Sequence, residues 1–316
     1  MATYLGFGSY LGAGEESAWG TAVSRDHFWR LVSSDLRRVL TKTPRETLDE
    51  GSGGMSGKHF VSRDLVQGSV TILATFEGIG LLLKHLMWSA ATTGPSGGYY
   101  THTYTLGASA PTGGLTLEIV QGTGSAIVYE GCRIQSARFR LQADGRMEIT
   151  MQIIGETSGA PTTATSATYT TNENELEAHQ FGTIGWNSDT YVPHDVEFSI
   201  DNRLDVRVKV GSKLTKDPKP TGLRTVSLSA TLDYETDDVQ NDYTGDTSST
   251  LTLTATSGSS SVTFTMHGAY ITADEIAVNT HGVLPEAVTW MAQRVDASNR
   301  GFSIAVVNTQ SSATAA

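Results

Sequence analysis

The sequence predicts an all-β fold of two tandem β domains with one or two short helices. Three observations lead to this prediction: a strand pattern that occurs twice, a glycine-framed segment that also occurs twice, and a composition rich in Gly, Ser and Thr. Alternation of apolar and polar residues is typical of a strand with one buried face. Abundant Gly, Ser and Thr suit a chain with many strands and turns.

The strand pattern occupies residues 68–77 and again residues 224–233. Apolar residues stand at positions 70, 72, 74 and 76 in the first copy and at positions 226, 228, 230 and 232 in the second. This alignment relates the two copies by a constant offset of 156 residues. Because the offset is even, we expect both copies to bury the same side.

The glycine-framed segment follows each strand. Gly131 and Gly145 frame the first copy, and Gly268 and Gly282 frame the second, 137 residues later. Repeats in the same order predict a duplicated domain. We expect a first domain over residues 1–156, with an N-terminal arm and a long loop at 41–63, and a second over 181–316, with a disordered C-terminal end. Residues 157–180 predict a Ser/Thr-rich linker between them.

A short helix that packs on the sheet is expected between Phe76 and Trp88. The matching stretch of the second copy, residues 233–243, is acidic and lacks an apolar stripe. A second helix is therefore expected to be short, exposed or absent. His85 is interpreted as an ordinary surface or boundary residue rather than a ligand, because no second ligand stands at a suitable spacing.

The composition argues against several classes of protein. Lys and Arg number 22 against 33 Asp and Glu, and the net charge of −11 opposes tight binding to nucleic acid or anionic membranes. Cys132 is the single cysteine, which excludes an internal disulfide. The longest apolar run, residues 79–88, is too short to span a bilayer, and the first residues lack the features of a signal peptide. We expect a soluble protein that is cytosolic when made.

No arrangement of residues in the sequence points to catalysis. The pair Gly57-Lys58 lacks the spacing of a phosphate-binding loop. Residues 94–98 match G-x-S-x-G by letter, but Pro95 and the glycines around it predict a turn rather than a nucleophile elbow. We therefore predict that the protein is not an enzyme and has no catalytic residue, metal site or cofactor.

Four short motifs resemble those of a known family. They are residues 14–21 (GEESAWGT), 81–86 (LLLKHL), 130–132 (EGC) and 198–202 (FSIDN). In this order, and over most of the chain, they resemble tail tube (major tail) proteins of long-tailed, non-contractile bacteriophages, here of a duplicated-domain type. The resemblance implies two tail-tube-like β-sandwich domains whose sheets join into a barrel on assembly. It also implies a structural subunit of the virion tail, made in the host cytoplasm, that polymerises as stacked rings into a hollow conduit for DNA delivery.

The resemblance also implies partners. Single-domain subunits of this family form six-membered rings, so two domains per chain predict homotrimeric rings with pseudo-sixfold symmetry. A second domain that decorates the outside would instead give six chains per ring. Further expected partners are tail terminator, tape measure and distal tail proteins. Double-stranded DNA is expected to pass without specific binding, through a lumen that the acidic composition predicts to be negative.

Two segments are expected to make contacts between rings. The 41–63 loop is long, charged and without an apolar period, which is typical of a functional loop. Its predicted contact residues are Arg45, Glu46, Asp49, Glu50, Met55, Lys58, His59 and Phe60; those of the N-terminal arm are Glu15, Glu16 and Trp19. Trp19 is equally consistent with a packing anchor inside its own chain.

A second function class stays open at this point. A tandem β-sandwich on a virion surface would also fit as a carbohydrate-binding or adhesin-like protein. Its sign would be exposed aromatic side chains at one loop end, for which Tyr99, Tyr100 and Tyr104 are candidates. The alternation of residues 99–106 also explains these tyrosines as strand residues.

Overall fold

The computed structural model describes residues 8–44, 58–122, 125–169, 174–276, 278, 282–296 and 300–315. Within these residues the chain forms 21 strands and two short helices, so the all-β prediction is confirmed. The strands of the first half are β1 (Tyr10–Glu15), β2 (His27–Ser34), β3 (Arg37–Pro44), β4 (His59–Leu73), β5 (Ala90–Ser96), β6 (Tyr99–Thr105), β7 (Leu115–Gln121), β8 (Ser125–Gln142), β9 (Glu148–Gly155), β10 (Thr157–Ser158) and β11 (Thr162–Thr163). Those of the second half are β12 (Ile184–Trp186), β13 (Asp189–Tyr191), β14 (Pro193–Asp201), β15 (Leu204–Arg207), β16 (Lys216–Pro220), β17 (Thr225–Asp233), β18 (Ser248–Ser257), β19 (Ser260–Ile276), β20 (Pro285–Met291) and β21 (Phe302–Asn308). The helices are α1 (Gly80–Met87) and α2 (Asp238–Thr244).

Six strands of the first half close into an antiparallel barrel. The order around it is β1–β2–β4–β9–β8–β7, and β7 pairs back with β1. The alternation of β4 places Val70 and Ile72 in the interior, where both are fully buried. Phe139 of β8 and Met151 of β9 face them from the neighbouring strands. The buried face predicted for the first copy is therefore the barrel core.

Five of these six pairings recur in the second half. There β12 pairs with β18, β14 with β17, β17 with β20, β20 with β19 and β19 with β18. Gly131 of β8 and Gly268 of β19 mark equivalent points, since their φ angles are +61° and +58°. A residue with a Cβ is strained in this conformation. The first glycine of each frame is thus required by the backbone.

The strand pairings align β4 with β17 at a different residue offset from the one that the sequence pattern suggests. Val70 lies opposite Met151, and Ala230 lies opposite Val288. Met151 and Val288 are 137 residues apart, as the glycine frames predict, so positions 70 and 230 are equivalent and the offset is 160 rather than 156. A shift of four residues keeps the same side buried, and periodicity therefore does not reveal it.

One continuous sheet joins the two halves. β8 pairs with β14 from Asp195↔Gln142 to Asp201↔Ser136, so the order β3–β4–β9–β8–β14–β17–β20–β19 runs without a break. Behind this junction, the ring of Phe198 stacks on Phe264 with centroids 4.8 Å apart. Phe139 meets the same ring edge-on at 5.7 Å. The two halves share one core.

Two segments that the sequence predicts to be flexible are packed against the first half. In the predicted linker, β10 and β11 pair with β8, and Thr165 donates to both carboxylate oxygens of Glu118, from its backbone N–H at 2.8 Å and its hydroxyl at 2.9 Å. At the C-terminal end, predicted to be disordered, the carbonyl of Ala313 accepts a 2.6 Å hydrogen bond from the Tyr104 hydroxyl. Low-complexity composition carries no apolar pattern, but strand pairing and hydrogen bonds to side chains of the first half hold these segments.

The helices match the short helices expected from the sequence. α1 packs its leucines on β8, whereas α2 buries only Val239. Gly80 begins α1 where an added Cβ would come within 1.9 Å of the Ala313 carbonyl oxygen. Glycine at this position therefore allows the C-terminal segment to cross the start of the helix.

Candidate assembly surfaces

A β-hairpin formed by β3 and the first part of β4 extends from the sheet. Its outer residues are exposed on both faces, including Leu40 and Phe60, which expose 42% and 55% of their surface. At its base, the Arg38 guanidinium donates to both oxygens of the buried Asp64 carboxylate at 2.8 and 2.6 Å. The hairpin is thus anchored at its base and presents exposed apolar side chains further out.

Both ends of the predicted 41–63 loop are strand rather than loop, since residues 41–44 of β3 pair with residues 59–63 of β4. Lys58, His59 and Phe60 are exposed at the start of β4. Arg45, Glu46, Asp49, Glu50 and Met55 lie outside the described residues. Their role in contacts between rings therefore stays a prediction.

The predicted contact residues of the N-terminal arm are engaged within the chain. The Glu16 carboxylate is buried and accepts hydrogen bonds from the Gly131 N–H at 2.8 Å, the Thr116 hydroxyl at 2.9 Å and the Gly20 N–H at 3.0 Å. Trp19 is half-buried and lies under the Arg133 guanidinium, 5.2 Å from its ring centroid. The hydrogen bonds of Glu16 thus attach the N-terminal segment to β7 and β8. Trp19 packs within its own chain against Arg133.

Glu15 joins this segment to α1. Its carboxylate accepts hydrogen bonds from Lys84 Nζ at 2.7 and 2.8 Å, and His85 Nε2 lies 3.3 Å from it. The neighbouring His85 and then Lys84 lower the pKa of Glu15 to about 2. The sequence predicts His85 at the surface or boundary, but the structure buries it. This burial lowers the pKa of His85. Its contact lies 70 positions away in the chain, on a strand whose position only the fold decides.

The continuous sheet presents one polar face, opposite the shared core. On β8 and β14, for example, Arg138, Arg140, Glu197 and Ser199 point away from the buried Phe198 side. Of the described residues on this face, the cationic ones are Arg37, Arg63, Arg138 and Arg140, and the acidic ones are Asp35, Glu148, Asp195, Glu197, Asp201, Asp233 and Glu275. Carboxylates outnumber cations, and Arg138 Nε lies 3.8 Å from Glu197 Oε1 across the junction.

The tyrosines proposed as a carbohydrate platform form part of the sheet. β6 lies between β5 and β21, so both of its edges are paired. Tyr104 is 1% exposed, and Tyr99 and Tyr100 are half-buried. An exposed aromatic surface of the kind that binds sugars is therefore not formed by these three residues.

The described part of the chain contains no group of three or more His, Cys, Asp or Glu placed to hold a metal ion. None of its helices is long and apolar enough to cross a membrane. Cys132 is fully buried, and its burial raises the pKa of the thiol.

A comparison with known protein families decides the identification. Residues 6–292 match the family described as phage tail tube protein, which is most of the chain. The chain belongs to the phage tail tube protein family. As a tail tube protein it is a structural, non-enzymatic subunit of the phage tail tube and is located in the virion tail. No match was found among curated proteins.

Membership confirms the tail tube resemblance and leaves its finer points open. The duplicated-domain type, the non-contractile tail and the ring stoichiometry of this tail tube protein stay predictions. The sequence does not reveal the strand edges at which the sheets join. Nothing in it indicates that the segment 195–201, which contains most of the FSIDN motif, pairs with the segment 136–142.

Proposed function

We propose that this tail tube protein carries two tube domains, and that three chains close a ring of pseudo-sixfold symmetry in a long, non-contractile tail. Each half supplies one sheet, so three chains supply six. Isolated sheet edges are an aggregation hazard unless an assembly covers them. Head-to-tail contacts between identical chains form a ring when the rotation closes.

The observation that carries this proposal is the pairing of β8 with β14. It joins the sheets of the two halves edge to edge over seven residue pairs, with a shared core behind and a polar face in front. The resemblance implies the same kind of joint between neighbouring domains of a tube. The junction within the chain is then one of the six joints in the ring.

The polar sheet face lines the lumen in this arrangement. The opposite face packs on the core and is unavailable to the lumen. Four cationic and seven acidic residues give the polar face a negative balance. Proteins that hold DNA neutralise its phosphates with Lys and Arg, so double-stranded DNA would pass this wall without specific binding.

The hairpin of β3 and β4 carries the contacts between stacked rings. Lys58, His59 and Phe60 stand exposed near its end. Glu15, Glu16 and Trp19 would act indirectly in this proposal, by fixing the start of the chain to the barrel. Tail terminator and distal tail proteins would meet the two ends of the tube, and the tape measure protein would occupy the lumen during assembly.

Electron microscopy of tubes assembled from the purified chain tests the ring. Averaging without imposed symmetry should give a threefold axis in which the two halves alternate around the lumen. The mass of an isolated ring should equal three chains. A true sixfold axis with one whole chain at every position would contradict the proposal and place the second half outside the barrel.

A further inference from the structure

Two strand edges of the continuous sheet have no strand partner among the described residues. β3 pairs with β4 on one side only. At the other end of the sheet, residues 272–276 of β19 pair with β20 on one side only, since β18 and β21 pair with earlier parts of β19. In the proposed ring, each chain therefore offers two unpaired strand edges, β3 at one end of the continuous sheet and residues 272–276 at the other.

The repeat provides a template for how these two edges fit. Within the chain, β14 pairs with β8, and β14 is equivalent to the run from β2 into β3. Leu31 and Ser33 flank a bulge opposite Ile72 and Thr71, just as Pro193 and Asp195 flank one opposite Leu232 and Thr231. Further along, Arg37 lies opposite Gln67 and Ser199 lies opposite Ser227, which keeps the same 162-residue offset. The position of the bulge and the register beyond it both give the same 162-residue offset.

The partner strand has its own fixed equivalence. β8 and β19 are related by 137 residues, because Phe139 lies opposite Ile149 and Ile276 lies opposite Glu286. The internal pair Ser199↔Arg138 then corresponds to Arg37 and Glu275, and the internal pair Ile200↔Ala137 corresponds to Arg38 and Asp274.

We propose that β3 of one chain pairs antiparallel with residues 272–276 of β19 in a second copy, with Arg37 opposite Glu275 and Leu36 opposite Ile276. The proposal rests on the proposed ring and adds its strands and register. In this register Arg38 lies opposite Asp274, and Val39 lies opposite Ala273.

The side chains at both edges are complementary in this register. Arg37 and Glu275 are both exposed and carry opposite charges, and directly opposed charges of opposite sign stabilise a strand pair. Asp274 Oδ1 is buried without a hydrogen-bond partner in the isolated chain, and the junction brings the Arg38 guanidinium to the same face. Leu36 meets Ile276 where the internal junction has Phe198 against Phe139. Two free edges thus gain partners of matching charge and polarity.

A disulfide cross-link tests the register in the full chain. In Arg37→Cys/Glu275→Cys the two thiols should face each other across the junction, and oxidation of assembled rings should link neighbouring chains. Thr41→Cys/Glu275→Cys is the matched control, because Thr41 faces the same side but lies about 13 Å further along the strand. The cross-linked fraction should exceed the control at least about tenfold, since Cα atoms more than about 7 Å apart are not bridged. Cys132 is buried and present in both variants.

The size of the linked product separates the register from the ring. A product that ends at three chains supports both. One that ends at six chains supports the register and overturns the three-chain ring. Threefold tubes in which the test pair links no better than the control overturn the register and leave the ring intact.

A charge exchange tests the same pair when the cysteine variant does not assemble. Arg37→Glu should reduce ring assembly at low ionic strength, because it opposes two carboxylates. Arg37→Glu/Glu275→Arg should restore assembly to the wild-type level. Failure of the double variant to recover assembly, with both variants folded by circular dichroism, overturns the proposed register.

Discussion

At the scale of single residues, several carboxylates take roles that depend on burial. Glu16 is buried with three hydrogen-bond donors, whereas Glu286 is 2% exposed and one of its oxygens has no partner. Glu286 occupies in β20 the position that Ile149 occupies in β9. Burial, and then the nearby Asp274 charge, raise the pKa of Glu286 to about 7.

This raised pKa predicts a pH-dependent stability of the unassembled chain. The folded state favours protonated Glu286, so its contribution is present below the ordinary glutamate pKa and is lost as the pH rises through about 7. Between pH 5 and pH 8, wild type should lose up to about 2 kcal/mol more of its free energy of unfolding than Glu286→Gln does, after allowance for partial screening by water.

Denaturant unfolding at the two pH values measures this difference. Glu148→Gln is the matched control, because Glu148 is exposed on the polar sheet face. It should keep the wild-type pH dependence. If Glu286→Gln also keeps it, the buried carboxyl is not the group that titrates.

At the scale of elements, the hairpin of β3 and β4 carries the two proposed contacts at different places. Its base holds the edge that we propose faces a neighbouring chain in the ring, and its outer part extends beyond the sheet with Leu40 and Phe60 exposed. The Arg38–Asp64 ion pair fixes the base to the rest of the chain. Stacking contacts and ring contacts are therefore separable by mutation.

Removal of residues 45–57 should abolish stacking and preserve the ring. The variant joins Pro44 to Lys58 through Asn-Gly, which favours a tight hairpin turn. Because the described core does not use the deleted segment, the chain should melt cooperatively with an unchanged β-sheet spectrum and form single rings. Sedimentation and electron microscopy measure the length of the assemblies.

A second variant separates chain length from side-chain contacts. It replaces residues 45–57 with a Gly/Ser segment of the same length, and it should also form rings without tubes. Tubes of normal length from the deletion variant, or loss of its folded state, would contradict the assigned role of the loop.

At the scale of the whole molecule, one sheet and one core unite the two halves. The strand order from β3 to β19 crosses between the halves at β8 and β14, and β21 crosses back to β6. The two halves therefore present one continuous polar face, which has a negative balance of charge.

Assembled tubes should therefore not retain double-stranded DNA in a salt-sensitive way. The variant Glu148→Lys/Asp233→Lys reverses two charges of the polar sheet face and should retain short duplex DNA, with affinity that falls steeply as salt rises. Filter binding across a salt series measures the retention of duplex DNA and its dependence on salt. Glu235→Lys/Asp238→Lys, which makes the same charge change at exposed positions near α2, is the control and should behave as wild type. Equal retention by the two variants would place the lumen elsewhere.

Periodicity carried much of the fold prediction. The alternation around Val70 and Leu228 identified which side is buried, and the glycine frames identified the repeated hairpin. Local composition also gave the short helices. These features depend on interactions between residues close in the chain, which is why sequence reveals them.

The sequence by itself determined the all-β class, the buried face of the repeated strands and, through short motifs, the tail tube family. Only the tertiary structure decided which strands meet. Periodicity of two is unchanged when a strand slips by four residues, so the 160-residue offset and the β8–β14 register required the pairing itself. In the same way, the contact of His85 with Glu15 and the packing of Ala313 on Gly80 join segments whose separation in the chain carries no pattern. Side-chain alternation defines the faces of a strand, whereas its edge partners depend on backbone hydrogen bonds that every residue type except proline offers alike.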